Sequence, residues 1–285
     1  MQLMRLGEPG LERPVVRLDE QTYVDVSDAV DDVDGALLAS GMDGLRALVA
    51  DRVAAGSVTT FGHERVGPPI ARPHQILCIG LNYADHAAEA GQPVPEEPIV
   101  FTKAPNTLVG PDDDVHIPRT STSTDWEVEL GVVVGRRCRY LDDLAAARES
   151  IAGFVVVNDV SERDFQLHRG GQWVKGKSAQ TFNPCGPWLA TPDELGDTSG
   201  LGLWLDVNGR RRQTGSTASM IFDPVFLVHY LSQFMVLEPG DLINTGTPPG
   251  VGMGQSPPQY LVAGDVMELG IDGLGRQRQR VVDAP

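Results

Sequence analysis

In the segment Asp125-Trp126-Glu127-Val128-Glu129-Leu130, acidic and apolar residues alternate just ahead of an apolar run, Val132-Val133-Val134. Alternate residues of a strand share a face, so Asp125, Glu127 and Glu129 should point one way and Trp126, Val128 and Leu130 the other. Carboxylates side by side on a strand repel unless a cation sits between them. Taken alone, the pattern also suits an exposed edge strand with a solvated acidic face. A further carboxylate tips the balance: the apolar run 151–158 ends in Asp159, just before a helix-start signal at Ser161 with Asp164 three residues on. Glu127, Glu129 and Asp159 offer three hard oxygen ligands suited to Mg²⁺ or Mn²⁺, which keep other octahedral positions for water or substrate oxygens.

Near that strand end, Arg163 and Gln166 are three residues apart and fall on one helix face. Arg163 can grip a substrate carboxylate in bidentate fashion, with Gln166 as a neutral donor, or serve only in a surface salt bridge. His86 and Glu89 have the same spacing, which lets a carboxylate orient an imidazole as a general base on water. A lone surface histidine near an acid is also common. Residues 171–178 formally fit the phosphate-loop pattern GxxxxGK[ST]. No clear strand precedes them, Trp173 is bulky where backbone must cradle phosphates, and no Walker-B-like strand follows, so a nucleotide loop is rejected. The loop 244–252 is rich in Gly and Pro, and its N–H groups and threonine hydroxyls can bind a carboxylate or simply make a tight connection. Cys185 has no base beside it in sequence, so cysteine chemistry is not indicated.

The elements that must position these groups are legible in outline. Short strands fit 75–81, 99–102, 125–135, 151–158, 201–207 and 266–271; helices fit 43–54, 82–89, 141–150 and 224–234. Strands outnumber helices without regular alternation, which predicts an α+β fold rather than a doubly wound parallel sheet. Gly67-Pro68-Pro69 marks a boundary between a small N-terminal domain, 1–70, and a main domain, 71–285.

Composition sets limits on partners. The 285 residues carry 23 Lys plus Arg against 39 Asp plus Glu, a net charge of −16, which disfavours nucleic acid and anionic membrane surfaces. Only three lysines occur, Lys103, Lys175 and Lys177; two fall together, which points to a compact ammonium being wanted at 175–177. Three cysteines without CxxC spacing, no apolar core for a signal peptide and no membrane-length apolar run fit a reduced, cytoplasmic protein.

In chain order, Asn82-Tyr83-Ala84-Asp85-His86 with Glu89, then Glu127-Val128-Glu129-Leu130-Gly131, Asn158-Asp159 with Arg163 and Gln166, Gly176-Lys177-Ser178 and Gly246-Thr247-Pro248-Pro249-Gly250 resemble the fumarylacetoacetate hydrolase family over residues 71–285. The resemblance is to bacterial members with a short N-terminal domain. It implies a mixed β-sandwich roll with a small N-terminal α/β domain, a homodimer, and one Mg²⁺ or Mn²⁺ on Glu127, Glu129 and Asp159. It implies a catalytic dyad of His86 and Glu89 on a lid, with Lys177 assisting. Tyr83, Arg163, Gln166 and Thr247 would contact substrate, a small anionic 2-oxo or diketo acid. The implied reaction is C–C hydrolysis of an acylpyruvate-type acid through an enolate that the metal stabilises. An isomerase or decarboxylase acting through the same enolate, and a non-catalytic metal-binding module, are the alternatives.

Overall fold

The computed structural model of the chain describes residues 1–89 and 91–285. Its apolar runs build one ten-stranded and one five-stranded sheet, besides two small two-stranded pairings. Near the middle of the larger sheet, Val128–Val134 pairs antiparallel with Ile151–Asn158 on one side and Leu242–Asn244 on the other. Leu242–Asn244 runs parallel to Ile76–Gly80, and Ile99–Lys103 closes that edge. In the other direction, Leu189–Ala190 links Ile151–Asn158 to Gln2–Leu6, so strands from the first 70 residues continue the same sheet.

All of Val128–Val134 is buried, because period-two alternation sends Leu130, Val132 and Val134 into one core and Val133 into another. The first core is shared with Leu205, Leu269 and Val281 of the smaller sheet; the second takes Val24, Leu45 and Val49 from the N-terminal segment. The result is the expected α+β architecture, sheet packed on sheet. It also removes the solvated-edge explanation of the Glu127-Val128-Glu129 alternation, since this strand has a neighbour on each side.

Two local expectations shift. The stretch 125–135 is not one strand: Thr124–Asp125 pairs with Ser161–Glu162, apart from Val128–Val134. The helix after Asp159 starts later than the Ser161 signal implied. Glu162 is its cap, accepting from the Asp164 N–H at 3.1 Å, and the helix spans Arg163–Leu167. Together these changes set Asp125 beside Arg163. Among the described residues no helix is long and apolar enough to cross a membrane. The three cysteines are free and buried.

Candidate active site

Strand register delivers the three metal-type carboxylates to one place. Val128 pairs with Asn158, and the Asp159 N–H donates to the Glu127 carbonyl at 2.9 Å, so Glu127, Glu129 and Asp159 gather where two bonded strands meet. One oxygen from each lies within 4.8 Å of the others, and all three residues are buried. Asp125 does not join them. It accepts from the Gly252 and Met253 N–H groups at 2.6 and 3.0 Å and from Arg163 Nε at 2.8 Å.

Cations press on this cluster. Lys177 Nζ lies 2.7 Å from Glu127 Oε2 and 3.0 Å from Asp159 Oδ2. Lys103 Nζ donates to the other Asp159 oxygen and, at 3.0 Å, to the Val160 carbonyl. Arg163 Nη2 is 2.7 Å from Glu127 Oε1 and 2.8 Å from Asp125 Oδ2. Burial opposes charge on Glu127, but Lys177 and Arg163 outweigh it and hold its carboxyl well below the usual range. Glu129 behaves oppositely. Burial, then the like charges of Asp159 and Glu127, push its carboxyl well up, and neither Lys177 nor the Gly246 N–H at 2.8 Å offsets them.

Were all ionised, the four buried carboxylates Asp125, Glu127, Glu129 and Asp159 would exceed the three buried cations Lys103, Arg163 and Lys177 by one negative charge, the excess that raises Glu129. A divalent cation on Glu127, Glu129 and Asp159 would reverse that sign and relieve the repulsion on Glu129. The donor set is all hard oxygen, so residues and charge both fit Mg²⁺ or Mn²⁺.

The His86 and Glu89 side chains come together. His86 and Glu89 lie on the helix Ala84–Glu89 with His86 Nδ1 3.0 Å from Glu89 Oε2, and the Gly250 N–H donates to Glu89 at 3.0 Å. If Nδ1 donates to Glu89, a neutral His86 presents Nε2 as its acceptor nitrogen. His86, Glu127, Glu129, Arg163, Gln166 and Lys177 all line one cavity of about 420 Å³, and Thr247 also reaches it. Lys177 gets there because the short helix Val174–Lys177 packs tightly on its neighbour: a Cβ at Gly176 would lie 2.5 Å from the Gln166 nitrogen and the Glu162 carbonyl oxygen. That close approach is the reason for Gly in Gly176-Lys177-Ser178, and no phosphate is required to explain it.

Three candidate substrate contacts carry other bonds. Arg163 is engaged by Asp125 and Glu127, and its Nη1 donates to Gln166 Oε1 at 3.1 Å, which leaves the Gln166 amide nitrogen as the free donor. The Thr247 hydroxyl donates to the Val128 carbonyl at 2.9 Å and accepts from Gln213 at 2.8 Å. Tyr83 is fully buried, its hydroxyl has no hydrogen-bond partner among the described residues, and it is not part of the cavity wall. The N–H groups of the loop 244–252 do bind carboxylates, but those of Glu129, Glu89 and Asp125 within this chain. Lys103 and the organising role of Asp125 were not found from sequence; the scarcity of lysine was the available signal for Lys103. Lys175, the lysine that neighbours Lys177 in sequence, is exposed and donates to the Arg169 carbonyl.

Residues 75–282 match the family model described as fumarylacetoacetate (FAA) hydrolase C-terminal, so the chain belongs to the fumarylacetoacetate hydrolase family. A protein of Burkholderia multivorans whose name calls it a hydrolase is 51% identical over 281 residues, covering 98% of each chain. Two solved structures that match over 100% of both chains are also similar. One is a maleylpyruvate hydrolase from Sphingobium sp. SYK-6 in complex with manganese(II) and pyruvate, at 25% identity and a TM-score of 0.83. The other is a 5-carboxymethyl-2-hydroxymuconate delta-isomerase from Mycobacterium smegmatis, at 29% identity and a TM-score of 0.76. Both hydrolases and isomerases therefore share this fold.

Proposed function

We propose that the protein is a Mg²⁺- or Mn²⁺-dependent hydrolase that cleaves a C–C bond in a 2,4-dioxo acid of the acylpyruvate type, working as a cytoplasmic homodimer. The observation that carries this reading is that Glu127 and Glu129 of the carboxylate triad, Lys177, and His86 of the His86–Glu89 pair all line one cavity, with Asp159 and Glu89 bonded directly behind them. Glu127, Glu129 and Asp159 would hold the cation, as a manganese-bound relative of the same fold supports. When bound, the cation supplies Lewis acidity toward the 2-oxo acid end of the substrate and charge that stabilises an enolate.

His86 Nε2, with Nδ1 tied to Glu89, takes a proton from water, whose oxygen adds to the C4 carbonyl. The bond between C3 and C4 breaks and its electron pair passes to C3, shared with the 2-oxo oxygen as the enolate. Burial opposes charge on Lys177, yet Asp159 and Glu127 hold it protonated, so it adds fixed positive charge where the enolate forms. Return of a proton to C3 gives pyruvate; the other fragment leaves as a carboxylic acid. Water enters the balance once, and no oxidant or reductant is needed.

The test is pyruvate release from a panel of 2,4-dioxo acids with Mg²⁺. Glu127→Ala and Asp159→Ala should each abolish release and weaken Mg²⁺ binding, whereas His86→Ala should abolish release and leave Mg²⁺ binding intact. Unchanged kcat in either carboxylate variant sinks the metal assignment, and loss of Mg²⁺ in His86→Ala would make His86 a ligand. A second reading, isomerisation of a related diacid through the same enolate, is favoured by the isomerase of the same fold. It would give an isomer and no pyruvate.

A further inference from the structure

Beyond its charged groups and the polar side chains Gln92, Gln166 and Thr247, the 420 Å³ cavity is walled by Ile79, Ile99, Phe101, Leu167, Trp173 and Met253. This wall is built rather than incidental. Trp173 lies flat against the chain at Gly80, where an added Cβ would meet its Cζ3 at 2.7 Å, so only glycine leaves room for the ring. The Trp173 and Phe101 rings meet edge to face, with centroids 5.2 Å apart at 65°. Phe101 is also continuous with the charged groups, since Lys177 Nζ lies 5.0 Å from its ring centroid. An acyl group extending past the reacting carbonyl therefore meets aromatic and aliphatic carbon.

The cations of the cavity are already ion-paired, and of their nitrogens the buried Arg163 Nη2 has no hydrogen-bond partner among the described residues. Among the described residues that line it, the only lysine and arginine side chains are Lys177, held by Glu127 and Asp159, and Arg163, held by Asp125 and Glu127. His86 is tied to Glu89. A second carboxylate on the substrate would lose its water against the apolar wall with no free counter-charge, and a charge buried that way is strongly disfavoured.

We propose that the group beyond the cleaved carbonyl is an uncharged alkyl or aryl chain, so that the enzyme selects apolar acylpyruvates over diacids, with Trp173 and Phe101 setting the preference. This rests on the cleavage reading above, but it is testable apart from it. With saturating Mg²⁺, the dissociation constants of pyruvate, 2-oxobutanoate, 2-oxohexanoate and 2-oxoadipate are measured by calorimetry. Affinity should rise up to roughly fourfold per added methylene along the monoacids, and 2-oxoadipate should bind at least about tenfold more weakly than 2-oxohexanoate. Trp173→Ala should flatten that series. Leu167→Arg, at a half-exposed rim position that tolerates a charge, should raise affinity for 2-oxoadipate. Equal or tighter binding of 2-oxoadipate by the unmodified protein overturns the proposal. The ladder without pyruvate release from alkyl or aryl 2,4-dioxo acids would overturn the cleavage reading alone, and pyruvate release with a reversed ladder would overturn only the tail preference.

Discussion

Asp159 receives a lysine on each carboxylate oxygen, Lys103 on Oδ1 and Lys177 on Oδ2. The two lysines have different surroundings: Lys177 lines the cavity, whereas Lys103 is buried behind Asp159 and also holds the Val160 carbonyl. Replacing Lys103 by Met leaves four carboxylates against two cations, so Mg²⁺ should bind more tightly while the protein without added metal loses about 3–5 kcal/mol, the usual cost of orphaning a buried charge. Calorimetry and melting curves with and without Mg²⁺ check both halves; unchanged values in both would show that Lys103 balances no charge at this site. The carboxylates themselves were legible, because strand alternation and an apolar run ending in Asp159 are local signals. Lys103 was not, since its partner is 56 positions away and nothing near it in sequence marks that partner. Clustering of Lys175 and Lys177 drew attention to Lys177, which does reach the carboxylates, and gave no sign of Lys103.

Elements were placed well where periodicity is long, as in the helix Asp43–Ala54 and the strand Ile151–Asn158. They were misjudged where a side chain overrides the period. Asp125 continues the alternation of Glu127 and Glu129 on paper, but its strand pairs with Ser161–Glu162 and its carboxylate turns to Arg163 and the N–H groups of Gly252 and Met253. It thereby ties three elements together: the start of the central strand, the helix Arg163–Leu167 and the loop whose Gly250 N–H holds Glu89. Asp125→Ala should free that loop and leave the Arg163 guanidinium with Glu127 as its remaining carboxylate partner. The expected outcome is a loss of about 3–5 kcal/mol in stability with a fall in kcat larger than any change in Mg²⁺ affinity, read by melting, steady-state kinetics and calorimetry. A Mg²⁺ affinity that falls in step with kcat would place Asp125 among the metal ligands instead.

At the scale of the molecule, a net charge of −16 coexists with a cavity holding Arg163 and Lys177. The negative surface argues against polyanions, and the local cations with a bound divalent ion reverse the sign where a small 2-oxo acid would sit. The sheet order was beyond the sequence, because Leu242–Asn244 contributes only three residues yet stands between Val128–Val134 and Ile76–Gly80, far apart in the chain. That insertion is what brings the loop 244–252 against the carboxylate triad, with the Gly246 N–H on Glu129. The proposed C–C hydrolysis requires that water supply one oxygen to the released acid. The most direct test is turnover of an alkyl 2,4-dioxo acid with Mg²⁺ in ¹⁸O-labelled water, with both products read by mass spectrometry. The account predicts one ¹⁸O in the carboxylate of the released acyl fragment together with stoichiometric pyruvate, both lost in the presence of a chelator and in His86→Ala. Formation of an isomer or of CO₂, with no labelled acid, would contradict it.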